Sequence, residues 1–145
     1  MKILVSACLL GEACRYDGAS RLCEHIIKLK ERHTLIPVCP EVMGGLPTPR
    51  PASEIQPDGR LVNLLGEDVT AEYRRGAETV LALAREHGAS VAILKEKSPA
   101  CGKGRVYDGS FAGTLRAGNG VCAALLLENG IRVLGESEAE EIDSL

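Results

Sequence analysis

Apolar residues along this chain gather in short runs, and between the runs they recur at helical spacing. Residues 2–7 (KILVSA), 34–38 (TLIPV), 90–94 (SVAIL) and 131–134 (IRVL) have the length and near-continuous apolar character of buried strands. Leu22, Ile26 and Leu29 predict one face of a helix over residues 21–32. Tyr73, Ala77, Val80 and Ala84 predict a longer helix over 68–87, with Thr70 as its cap and Gly88 as its stop. A third, apolar helix is expected over 121–129, ended by Gly130, and a short acidic one after the last strand. Residues 61–65 read as a short strand or hairpin arm, and Pro37 puts the 34–38 strand at an edge or ends it. Strands alternating with helices imply right-handed crossovers and a mainly parallel sheet covered on both faces. The expected fold is therefore α/β: a Rossmann-like three-layer sandwich, a single domain over residues 1–145.

Two stretches interrupt this pattern. Residues 39–60 read as loop and hold five of the seven prolines, at 40, 47, 49, 51 and 57, while residues 95–120 are glycine-rich. A chain of 145 residues buries roughly 68–70% of its unfolded surface and needs no disulfide or metal for stability alone. Net charge of −3 and an aromatic content of 3% without Trp argue against a nucleic-acid polymer as partner. No apolar run approaches the roughly 20 residues that span a membrane. The start, MKILVSACLLGEACR, reads as the first strand of a cytoplasmic protein rather than a signal peptide, because Gly11, Glu12 and Arg15 follow without a cleavage site.

Six cysteines in a reducing compartment are buried, metal-binding or catalytic rather than disulfide-bonded. Cys8 follows strand 2–7, Cys39 follows 34–38, and Cys101 lies in KEKSPACGKG after 90–94. In an open parallel sheet these carboxyl ends share one edge, the edge at which such folds bind ligands. Cys23 and Cys122 fall inside helical patterns and read as small buried hydrophobes. Cys14 sits between the two cases, in a loop bearing Arg15 and Asp17. Three thiolates suggest a metal centre. Structural zinc usually takes four ligands with C-x-x-C knuckles, and no C-x-x-C occurs here. A cubane iron–sulfur cluster also usually takes four cysteines; with three, one iron stays open and acts as a Lewis acid. With Cys14 as a fourth ligand the centre would carry electrons or sense redox state instead. An open iron that binds a substrate hydroxyl would make the protein a hydrolyase, and a zinc-binding or metal-free fold with buried thiols is the bland alternative.

The segments SACLLGEACRYDG, CPEVMGGLPTPRPASEI and KEKSPACGKGRVYDGSFAGT together resemble the thiouracil desulfidase family, in order and over nearly the whole chain. The resemblance implies a [4Fe–4S] cluster held by Cys8, Cys39 and Cys101. It implies a thiolated pyrimidine, as free base or nucleotide, whose sulfur leaves as sulfide while water replaces it on carbon without net redox change. It also implies that Glu41 and Ser98 are the catalytic acid/base groups, and that iron–sulfur assembly machinery loads the cluster. The residues agree with this chemistry. A carboxylate two positions beyond a ligand cysteine is placed to relay protons, against the alternative of a solvated loop glutamate. Ser98 precedes Pro99 and serves equally as a turn former or as a donor to developing charge. Arg15, Arg50, Lys97, Lys103 and Arg105 follow strand ends, where solvated charge is the default and a substrate phosphate the functional alternative. Gly44, Gly45, Gly102 and Gly104 permit close backbone approach, but no Walker or dinucleotide fingerprint accompanies them, so ATP and NAD are not expected.

Overall fold

A computed structural model describes residues 1–145. Its centre is a four-stranded, all-parallel sheet in the order β2–β1–β5–β8, from β1 (Lys2–Ser6), β2 (Thr34–Val38), β5 (Val91–Leu94) and β8 (Arg132–Gly135). The period-two alternation of strand side chains divides the core in two. Leu4, Val38, Ala92, Leu94 and Val133 face α3 (Thr70–His87) and α4 (Val121–Glu128). Ile3, Val5, Val91, Ile93 and Leu134 face α1 (Glu24–Ile27) and the C-terminal 3-10 winding Glu136–Ser144. This is the expected three-layer sandwich. Pro37 lies in edge strand β2, where its missing N–H costs no ladder bond.

The chain steps from β1 to β2 on one side, then returns to place β5 on the other side of β1. That reversal is a topological switch point, and its crevice opens at the carboxyl ends of β1 and β5. Both irregular stretches lie at this edge and hold more structure than their proline and glycine content suggested. Residues 39–60 contain α2 (Pro40–Met43) and β3 (Ser53–Ile55), which pairs antiparallel with β4 (Leu61–Asn63). Residues 95–120 contain the hairpin of β6 (Arg105–Tyr107) and β7 (Leu115–Ala117). Glu54 links the two hairpins: one carboxylate oxygen accepts the N–H groups of Gly109 and Phe111, at 2.9 and 3.1 Å.

Two helix boundaries differ from expectation. Residues 21–23 are not helical, because the N–H groups of Arg21 and Cys23 donate to Cys8 and Leu9 carbonyls in the turn after β1, both at 2.9 Å. Leu22 is consequently exposed, while Ile26 and Leu29 are buried as expected; α1 is one turn long and continues as a 3-10 turn over Lys28–Glu31. Thr70 is the first residue of α3 rather than its cap. Its hydroxyl accepts the Leu61 N–H at 2.9 Å and ties the helix to β4, while Asp68 accepts the Thr70 N–H.

Helices α2 and α3 meet main chain to main chain. A Cβ built on Gly76 would stand 1.8 Å from the Pro40 carbonyl oxygen, and one on Gly44 would stand 1.9 Å from that of Glu72. Gly76→Ala relieves a helix-interior glycine, a change worth about 1 kcal/mol of stability at an open position. Here the methyl group has no room, and overpacking of this kind costs about 1–3 kcal/mol or more. The variant is expected to melt below the wild type; a Tm equal to or above it contradicts the close contact.

Candidate active site

Each strand-end cysteine is placed by its own local device. The 3-10 turn Ala7–Leu10 follows β1 and buries Cys8. Cys39 is extended, with φ −138°, and immediately precedes α2, whose first residue Pro40 suits a helix start. Cys101 lies in a turn laid against the start of α4, where the N–H groups of Val121 and Cys122 donate to the Pro99 and Ala100 carbonyls at 2.9 Å. That pairing satisfies helix donors that otherwise lack partners. Gly120 permits it, since a Cβ there would lie 2.5 Å from the Ala100 carbonyl carbon.

The three thiols line one cavity of about 440 Å³ at the carboxyl edge of the sheet. Its size is in the range of small-ligand sites. Glu41, Ser98, Arg15 and Lys97 line the same wall, as do Cys14, Arg21 and Lys95. All six cysteines are free. Cys23 and Cys122 do not line the cavity; Cys122 is wholly buried, and burial pushes its thiol up to about 12.

Cys14, Cys39 and Cys101 resist ionisation. A hydrogen bond with Cys14 and then burial push Cys39 far up, and burial, followed by the neighbouring Cys122 and Glu41 charges, does the same for Cys101. Cys14 is pulled down by Cys39, but its hydrogen bond with Cys8 and burial outweigh this and raise it to about 11. Thiolates at these three positions therefore need a strong positive charge beside the sulfurs, which is what a metal centre supplies. No group of three His, Cys, Asp or Glu side chains converges on a point fit for one ion. Thiols spread around a common space suit a polynuclear iron–sulfur cluster by donor chemistry.

Glu41 is held from behind. Its Oε2 accepts the Tyr73 hydroxyl at 2.7 Å and lies 3.3 Å from Arg50 Nε and 3.2 Å from Arg50 Nη2. Ser98 Oγ accepts the N–H groups of Ala100 and Cys101, both at 3.1 Å, so it does form the turn and keeps its own hydrogen free to donate. Lys97 has φ 69°, a left-handed backbone that a non-glycine residue adopts at a cost and that is over-represented at functional sites.

Three of the basic residues expected near a phosphate are not on the cavity wall. The Arg50 side chain is 3% exposed and fully engaged with Glu41 and nearby carbonyls, which leaves no face for a ligand. Lys103 Nζ is paired with both carboxylate oxygens of Glu138 at 3.1 Å. Arg105 is exposed and also off the wall. Arg15 and Lys97 remain. Lys95 and Arg21 join them, though neither was singled out in the sequence. Lys95 directly follows β5, so the strand-end rule that picks out the cysteines also covers it. The hydroxyl of Tyr73 had no such signal, because the residue belongs to the apolar face of α3.

A crevice at a topological switch point, lined by thiols and a held carboxylate, defines a cofactor-dependent α/β enzyme. The family model described as 2-thiouracil desulfurase matches residues 3–138, and the chain belongs to that family. It is 44% identical to YbbK, an uncharacterized protein of Bacillus subtilis (strain 168), over 97% of this chain and 99% of that one. Among solved structures it is similar to the [4Fe-4S]-dependent thiouracil desulfidase TudS, at 47% identity and a TM-score of 0.90, covering 98% of this chain and 95% of the other.

Proposed function

We propose that this chain hydrolyses the carbon–sulfur bond of a thiolated pyrimidine of the thiouracil class, using a [4Fe–4S] cluster held by Cys8, Cys39 and Cys101. The observation that carries this reading is the convergence of three strand-end thiols and the Glu41 carboxylate on one cavity. Family membership and the likeness to a [4Fe-4S]-dependent thiouracil desulfidase support it. When bound, the cluster supplies a Lewis-acidic iron without a protein ligand, at which thiocarbonyl sulfur is polarised.

The chain's own residues supply the rest. Glu41 accepts a proton from the water that adds to the ring carbon and returns it to the departing sulfur. The Ser98 hydroxyl donates toward charge that develops on the ring. Thiocarbonyl and water become carbonyl and hydrogen sulfide, and no electrons are gained or lost. We take residues 1–145 to act as one desulfidase domain. Six free thiols suit a reducing cytoplasm where iron–sulfur assembly machinery loads the protein, and no helix is long and apolar enough to cross a membrane. Cys14, in the same cavity, is the one observation that favours the second reading, a four-thiolate centre that carries electrons.

Glu41→Gln keeps the shape of the side chain and removes the base. It is expected to retain iron and bind thiouracil, while sulfide release falls by about 10²–10⁴-fold. Near-wild-type release from fully loaded Glu41→Gln leaves Glu41 without a catalytic part.

For a nucleotide substrate, Arg15 and Lys97 are the remaining phosphate partners. Arg15→Gln is then expected to raise KM for thiouridine monophosphate but not for free thiouracil, with kcat unchanged, the mark of lost uniform binding. Equal effects on both substrates remove the phosphate site.

A further inference from the structure

The two oxygens of Glu41 are not equivalent. Oε2 takes the Tyr73 hydroxyl at 2.7 Å and lies within 3.3 Å of two Arg50 nitrogens, whereas Oε1 has no hydrogen-bond partner within the protein. The side chain is 15% exposed and lines the cavity, so its one unpartnered oxygen is the one left for a ligand or water.

Both donors are themselves fixed. Arg50 Nη1 donates to the Pro47 carbonyl and to Thr48 Oγ1, and Nη2 donates to the Cys14 carbonyl at 3.1 Å. The guanidinium fork is thus occupied on every side, and only an arginine presents that planar set of donors. Tyr73 is 1% exposed. It sits three residues before Gly76, on the face of α3 that touches α2, the helix on which Glu41 lies. Burial, and then the Glu41 charge, keep its hydroxyl protonated and donating.

We infer that Arg50 and Tyr73 are positioning residues that pin Oε2 and so present Oε1 alone to the reacting water. The inference rests on the reading of Glu41 as the acid/base group. Neither side chain touches substrate. They act by removing the rotation of the carboxylate that would otherwise divide its time between several orientations, and misplacement of about 1 Å costs roughly 10²-fold in rate. The Cys14 carbonyl extends the arrangement, since Cys39 Sγ lies 3.8 Å from the oxygen that Arg50 also holds. Arg50 therefore registers Glu41 against the loop beside the ligand cysteine.

A double-mutant cycle on the reconstituted holoenzyme tests this. Tyr73→Phe, nearly isosteric, is expected to keep the wild-type iron-to-protein ratio and KM while kcat falls about tenfold, and Arg50→Lys, which keeps the charge but not the fork, to lower kcat by about 10²-fold. In a Glu41→Gln background neither change is expected to lower kcat further, because the group they position is already gone. A loss of the same size in both backgrounds, or a wild-type kcat in Arg50→Lys, overturns the positioning role and leaves Glu41 as base. A Glu41→Gln enzyme with full activity overturns the underlying reading as well, so the two failures are distinguishable. Should Arg50→Lys lose iron or fold poorly, the Tyr73→Phe arm of the cycle decides alone.

Discussion

Gly44 and Gly76 let the main chains of α2 and α3 come into contact, and the carboxylate side of the site is assembled on that contact. Helix α2 is only four residues long and has little stability of its own. Its orientation comes from the 18-residue α3, whose apolar face is anchored in the core under the sheet. Cys39 and Glu41 ride on this turn, one just before the helix and one inside it. A side chain at either glycine would push the turn away from α3 and carry Glu41 from the Tyr73 hydroxyl. The packing link and the chemical link are thus one structural fact.

Burial sets the electrostatics on that scaffold. Removing Glu41 and Arg50 from water is expensive, and such a pair survives when further hydrogen bonds satisfy its remaining groups. For the guanidinium and for Glu41 Oε2 they do, through the tyrosine hydroxyl, two carbonyls and a threonine hydroxyl, and only Oε1 is left to the cavity. The opposite condition holds for the sulfurs. Cys39 and Cys101 are pushed toward the neutral thiol by hydrogen bonding and burial, so the protein alone does not stabilise these two as thiolates. A positively charged metal centre reverses that balance. Cys8, Cys39 and Cys101 come from three separate strand ends, so such a centre also cross-links segments far apart in the chain.

Much of the layout could be read from the sequence because it depends on periodicity. The apolar runs around Leu4, Ile36, Ile93 and Val133, together with the face of Tyr73, Ala77, Val80 and Ala84, are enough to predict a covered parallel sheet. Three cysteines at strand ends then point to one edge. What escaped has identifiable physical causes. Residues 21–23 look helical by pattern, but their N–H groups pair with the turn after β1. Proline and glycine hid α2, β3 and the β6–β7 hairpin, since these residues mark turns without revealing the short elements between them. Arg50 follows a strand end in sequence, like Arg15, yet it folds back on Glu41, a tertiary choice that no spacing reports. Gly76, inside the pattern of the long helix, carries no sequence signal of the contact that it makes with α2.

In the proposed enzyme three thiols, and not four, hold the cofactor. The direct measurement is iron and acid-labile sulfide content after anaerobic reconstitution of the four single variants Cys8→Ala, Cys14→Ala, Cys39→Ala and Cys101→Ala. Thiouracil-induced change in the cluster spectrum is read on the same samples. Three-point ligation predicts that Cys14→Ala matches the wild type in iron, sulfide and spectral response, while the other three variants lose the cluster. Loss of the cluster in Cys14→Ala, or its full retention in any of the other three, would contradict it.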